Sequence, residues 1–149
     1  STLHARLLGR SRLQLVASPA YLHAHGQPGA VADLAGHALL GFNEPESLNR
    51  WPLVGDDDGQ LRVRPAIAVS SGETLRRLAV EGVGITCLSD FLTEADRASG
   101  ALVPVLSAQT LDVHQPIHAV YYRNTAVSAR VRSFVDFLAD ALQAMAWMR

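Results

Sequence analysis

The spacing of apolar residues along this chain switches repeatedly between a period of two and a period near 3.6. Residues 12–17, RLQLVA, alternate polar and apolar as a half-buried strand does. Ser18-Pro19 then sets a capping hydroxyl before a proline suited to the first helical position, predicting a short helix PAYLHAH that Gly26 stops. AVADLAG predicts one or two helical turns, and HALLGF (37–42) a buried strand. RWPLV and QLRVRPAIAV flank Gly55-Asp56-Asp57-Asp58-Gly59, which predicts a hairpin with turn residues at its tip.

The strongest local pattern is VSSGETLRRLAVEGVGI, residues 69–85. Ser70 and Glu73 have the spacing of a capping box, Leu75, Leu78 and Ala79 share one helical face, and Gly82 stands where a helix ends. VGITCL follows at once, so Val83–Leu88 is expected as an interior strand, with the helix N-terminus pointing out of the sheet edge. A second helix is expected from Ser89-Asp90 to about Gly100, then a short strand ALVPVL and a last strand QPIHAVYY (115–122). Ser128 opens a long final helix whose Val131, Phe134, Val135, Leu138, Leu142 and Met145 form one stripe, with Trp147 just beyond. There is no internal repeat and no Pro/Gly/Ser linker. The alternation of elements predicts an α/β chain with mixed strand directions.

Composition narrows the function. Of 149 residues, 48% are hydrophobic and 18% charged, enough for a core without staples, and the single Cys87 excludes an internal disulfide framework. The net charge is −1, and the 13 cationic residues, all arginine, are scattered along the chain. There is no basic surplus to neutralise phosphates, so this chain is not expected to hold DNA by itself. No apolar run is long enough to cross a bilayer and the start lacks the order of a signal peptide, so a cytoplasmic protein with no membrane contact is the default. Ser1 in place of a methionine, followed by LHARLLG, reads as an excised piece of something longer.

The six histidines do not predict a metal site: His23 and His25 fall on opposite sides of a helix, and His114 and His118 straddle a strand start without a third ligand. DDDG lacks the alternating oxygens and distal glutamate of a calcium loop. No nucleophile elbow or dinucleotide-binding glycine pattern is present, Cys87 has no obvious histidine partner, and a chain without lysine cannot form a Schiff base. No catalytic residue and no cofactor is expected.

The ordered set RLQLVASPAYLHAHGQP, ADLAGHALLGF, RWPL, VSSGETLRRLAVEGVGITCLSDFL, ALVPVL and PIHAVYYRN…SARVRSFVDFLADAL resembles the effector-binding domain of LysR-type transcriptional regulators over nearly all of residues 2–142. The resemblance implies a periplasmic-binding-protein-like (type 2) fold of two α/β subdomains with an effector in the cleft between them. On that map residues 12–113 are a complete subdomain II, entered near Ser11–Gln14 and left near Gln115–His118. Residues 1–11 and 114–149 are a remnant of subdomain I. The helix-turn-helix of such a regulator lies outside this chain, so DNA is expected as a partner only through that missing N-terminal domain. The implied function is to sense a small carboxylate or aromatic acid and so control DNA binding by the parent protein. Dimers or tetramers are expected too, because the first strands beneath the final helix are missing. A solute-binding protein of a transport system shares the fold, as do some two-lobed enzymes; the missing leader and the missing lysine speak against these.

Two segments are candidate effector contacts. At Ser70, Ser71 and Gly72, free N–H groups and the helix dipole favour an anion, and glycine lets a ligand approach the backbone. The bland alternative is that Ser70 and Glu73 only cap the helix, with Glu73 opposing an anion. The resemblance places Asn43, Leu48, Asn49 and Trp51 on the cleft wall of subdomain II, an amide and an indole beside apolar groups. Trp51 could equally cover the hairpin.

Overall fold

Strand β1, Thr2–Ala17, carries the chain through both of its compact units. The computed structural model describes residues 2–55, 59–123 and 128–145. One unit is Leu13–Val113; the other joins Ser1–Arg12 to His114–Arg149.

In the Leu13–Val113 unit, Ser18 ends β1 and caps α1 (Pro19–His25), its hydroxyl accepting from Tyr21 N at 3.1 Å. A 3-10 turn, Val31–Gly36, leads into β2 (Leu39–Phe42), and a second, Glu46–Asn49, into β3 (Arg50–Trp51). β3 pairs with β4 (Leu61–Arg62) as the predicted hairpin, its Trp51 opposite Leu61. The tip aspartates Asp56, Asp57 and Asp58 lie outside the described residues. Then come β5 (Ile67–Val69), α2 (Gly72–Val80), β6 (Ile85–Ser89), α3 (Asp90–Ser99) and β7 (Val103–Val105).

The sheet order is β5-β2-β6-β1-β7. β2 runs parallel to both β5 and β6, whereas β1 is antiparallel to β6 and β7. All five residues of β6 are buried, because the sheet is covered on both faces. On one face Ile85 and Cys87 join Leu15, Tyr21, Leu39, Trp51 and Leu53. On the other, Leu88 joins Leu40 and Leu75, with Phe42, Leu78 and Leu92 packed against them. Thr86 is buried without penalty because its hydroxyl donates to Leu40 O at 3.0 Å.

Three local expectations shift. β6 begins at Ile85 rather than Val83, since Val83 N still bonds Leu78 O at 3.1 Å as α2 ends through Gly82 at φ +82°. β2 likewise begins at Leu39, because Ala38 N is held by the Tyr21 hydroxyl at 3.1 Å. The Ser70–Glu73 capping box does not form. Ser71 is the N-cap, its hydroxyl accepting from Thr74 N at 3.4 Å, which places Glu73 one position too early to reach back.

The second unit pairs residues 2–12 of β1 with β8 (His114–Arg123), from Thr2 opposite Arg123 to Arg12 opposite His114, with a bulge between Leu7 and Gly9. α4 (Ser128–Gln143) lays Val131, Val135, Leu138, Ala139 and Leu142 on Leu8, Ile117, Ala119 and Tyr121. Arg6 pairs with Asp136, and Gln143 donates to Leu8 O at 3.1 Å. The stripe therefore finds a sheet within this chain. Phe134, however, is 62% exposed and lies off the contact, since a residue three before Phe137 and four after Arg130 sits at the edge of the Val131–Val135–Leu142 line. Met145 is past the last helical residue and 44% exposed; Trp147 lies outside the described residues.

Candidate functional site

The carboxyl ends of the three parallel strands in the Leu13–Val113 unit meet along one sheet edge, the place where open α/β sheets receive ligands. β2 ends at Phe42 and gives way to Asn43; β5 ends at Val69 and gives way to Ser70 and Ser71; β6 ends at Ser89, where α3 begins. Asn43 N donates to Val69 O at 2.9 Å, so the first two ends are tied together. The side chains of Asn43 and Ser70 are exposed at this edge, and Ser71 and Gly72 are half-buried.

At the start of α2 the N–H groups of Gly72 and Glu73 have no acceptor one turn earlier in the helix, which leaves them directed outwards. Glu73 does not leave a bare negative charge beside them. Its two oxygens accept from Arg76 Nε at 2.9 Å and Nη2 at 2.7 Å. That hydrogen bonding, with the charges of Arg76 and Arg77, holds the Glu73 carboxyl below its usual range despite an opposing effect of burial. Arg76 also donates to both oxygens of Asp96 on α3, at 3.0 and 2.9 Å, and its own pKa is pushed upwards by these two partners. One guanidinium thus ties α2 to α3 and offsets the acidic residue nearest the helix start.

Gly72 serves packing as well as access. A Cβ there would lie 3.1 Å from Leu92 Cδ1 and 3.9 Å from Leu88 Cδ2 and Phe42 Cζ, so its missing side chain lets α2 seat against α3 and β6.

The Asn43–Trp51 segment divides by role. Leu48 is half-buried, its N–H donating to Pro45 O at 3.1 Å. Asn49 is 6% exposed and its amide is fully engaged: Oδ1 accepts from Phe42 N at 2.8 Å and Nδ2 donates to Phe42 O at 2.7 Å. Trp51 is 1% exposed, inside the core with Leu15, Leu53 and Ile85. In the structure these two side chains therefore face the protein rather than an open surface. Asn49 mimics a neighbouring strand for the end of β2, and Trp51 fills the core beneath the hairpin. Asn43 keeps an exposed polar side chain at the edge.

Two residues that sequence reasoning passed over stand at the same edge. Gln14 Nε2 donates to Asp90 Oδ1 at 2.6 Å, and Arg97 holds Asp90 O at 3.1 Å. The signal was present: Ser89-Asp90 after an apolar run is the same strand-to-helix passage as Val69–Gly72. Cys87 on β6 is buried, and burial pushes its thiol well above the usual range. Among the described residues no three His, Cys, Asp or Glu converge as a metal set, and no helix is long and apolar enough to cross a membrane.

The family described as LysR substrate binding domain matches residues 1–143. The HTH-type transcriptional regulator CrgA of Neisseria meningitidis serogroup C is 48% identical over 142 residues, covering 95% of this chain and 48% of CrgA. The Escherichia coli HTH-type transcriptional regulator DmlR is 31% identical over 140 residues, covering 91% of this chain and 44% of DmlR. The chain thus spans about half the length of the curated relatives it matches. Among solved structures, the CrgA regulatory domain superposes with a TM-score of 0.87 at 48% identity, covering 95% of this chain and 70% of that one. The full-length Vibrio cholerae virulence activator AphB superposes at 0.72 with 30% identity, covering 95% of this chain and 48% of that one. With a family match across almost its whole length and a fold shared with solved regulatory domains of that family, this chain belongs to the LysR substrate-binding domains, with their periplasmic-binding-protein-like fold.

Proposed function

We propose that this chain is the effector-sensing part of a LysR-type transcriptional regulator, not an enzyme, and that its effector is a small carboxylate. The Leu13–Val113 unit is assigned as subdomain II and the residues on either side as part of subdomain I. The observation that carries the reading is the sheet edge where Asn43, Ser70, Ser71 and the open N–H groups of Gly72 and Glu73 stand together at the carboxyl ends of parallel strands. Outward N–H groups at a helix start bind anions, and the Arg76 partner of Glu73 removes the main objection to a negative ligand there. In the parent protein, which is read as cytoplasmic, occupancy of this edge would bias DNA binding by an N-terminal domain. Self-association is part of this reading, supported by Leu3, Leu7, Val120, Tyr122, Phe134 and Phe137, all exposed apolar residues of the second unit, and is read by light scattering.

The test is an amide-resonance titration of the chain with a panel of aliphatic and aromatic carboxylates. Saturable shifts should cluster at Asn43 and residues 70–73. Ser70→Leu is the informative variant, because Ser70 is exposed and does not cap the helix. It should weaken binding by about tenfold, the loss of one hydrogen bond to a charged group, while leaving unfolding unchanged. No saturable shift at Asn43 and residues 70–73 with any member of the panel, or affinity there untouched by Ser70→Leu, refutes this edge as the effector site.

A further inference from the structure

At the other end of β2 the same unit holds a second concavity. It has a volume of about 540 Å³, within the range that takes a drug-sized molecule. Its walls are apolar: Val31 and Leu34 from the first 3-10 turn, Leu39 from the start of β2, and Leu61 and Val63 from the hairpin. Leu39 opens the strand whose far end, Phe42, borders the edge already described, so the two places are about 10 Å apart along β2.

Three polar side chains stand on this apolar lining, His37, Arg62 and Arg64. His37 lines the pocket and takes part in a hydrogen bond of 2.8 Å between Nδ1 and the Tyr21 hydroxyl. That hydroxyl also accepts from Ala38 N at 3.1 Å, so Tyr21 engages the Nδ1 side of the ring and Nε2 is the ring nitrogen it does not engage. Arg62 and Arg64 line the same pocket. Arg62 meets Glu46 only at 3.6 Å, between side chains 60% and 73% exposed, and the register sets it directly opposite Arg50, a like charge. Arg64 has no ion pair among the described residues. Among the described lining residues the cavity carries two guanidinium groups and an imidazole and no carboxylate, which fits a ligand with an apolar body and one anionic head.

We propose that this pocket is a second small-molecule site of the domain, selective for an organic carboxylate with an aromatic or branched aliphatic body. The carboxylate pairs with Arg64, whose planar fork suits two carboxylate oxygens, and the body lies against Leu34, Leu39 and Val63. His37 adds one polar ring edge to the same lining. The assignment rests on the geometry of this pocket alone and stands whether or not the α2 edge binds an effector.

Benzoate is the probe, with benzyl alcohol as its uncharged counterpart, titrated into the 149-residue chain and followed by amide resonances and by calorimetry. Saturable benzoate shifts are expected at Val31, Ala35, Leu61 and Val63, with benzyl alcohol at least tenfold weaker. Arg64→Gln should weaken benzoate by about tenfold, the usual worth of a charge-assisted pair, without changing the unfolding midpoint. Ala35→Phe, at an exposed lining position, should fill the cavity and abolish binding while the fold is retained. Shifts confined to Asn43 and residues 70–73, equal affinity for the alcohol, or binding that both variants leave within twofold would each overturn the proposal. The Ser70→Leu variant should bind benzoate here as before, which separates this site from the α2 edge.

Discussion

Replacing Asn49 separates a structural amide from a ligand contact, because the structure commits both of its polar ends to one backbone residue. Asn49 Oδ1 and Nδ2 close a two-bond bridge to Phe42, as a paired strand would. The amide also lies over Gly41, where an added Cβ would come within 2.5 Å of Oδ1. Asn49→Ala removes both partners at once and leaves an N–H and a carbonyl at a half-buried strand end. An unsatisfied buried polar group costs about 1–3 kcal/mol; with part of that recovered by water at the half-exposed Phe42, the loss should total about 2–4 kcal/mol. For a chain of this size that lowers the melting temperature by about 5–15 °C. Asn49→Asp sharpens the argument: it keeps the acceptor for Phe42 N but sets a carboxylate oxygen against Phe42 O, so it should be no more stable than Asn49→Ala at neutral pH. Urea unfolding followed by far-ultraviolet circular dichroism measures both. A loss under about 1 kcal/mol for Asn49→Ala, together with a well-tolerated Asn49→Asp, would refute the reasoning and return Asn49 to the candidate ligand contacts.

Two further outcomes follow from the same side of the sheet. Gly72→Ala has to displace Leu92 by a few tenths of an ångström and should cost less than about 1 kcal/mol, whereas Gly72→Phe has to open the Leu40–Leu75–Leu88 cluster and should cost about 1–3 kcal/mol in urea unfolding; equal stability of the two variants would show that Gly72 faces solvent. Because Arg76 lowers the folded-state pKa of Glu73, the pair contributes stability above the ordinary glutamate value of 4.5, and that contribution is lost as pH falls below it. Arg76→Gln should remove this part of the acid dependence below about pH 4.5. Identical acid unfolding profiles for the parent chain and the variant would refute the coupling.

Much of this architecture was legible one segment at a time. Ser18-Pro19, Gly26, Gly82 and the VGITCL run mark their elements because caps, helix stops and apolar strands act over four or five residues, a range that a sequence displays directly. The family resemblance rested on the order of such segments, and the match over residues 1–143 agrees with it. What local pattern could not decide was which of two neighbouring serines caps α2. That depends on where the helix must begin in order to seat Gly72 against Leu92, a contact with a residue twenty positions on. The surroundings of Trp51 and Asn49 were hidden for the same reason: an indole or an amide after a strand reads alike whether it faces a ligand or a core. It is the sheet that places Leu15 and Ile85 beneath one and the Phe42 backbone beside the other. Phe134 shows the converse, a stripe residue by periodicity left exposed because it sits at the edge of the line that packs on β1 and β8. Local chemistry chose the elements of this protein; which faces they bury was decided by strand order and helix docking, over separations no local pattern spans.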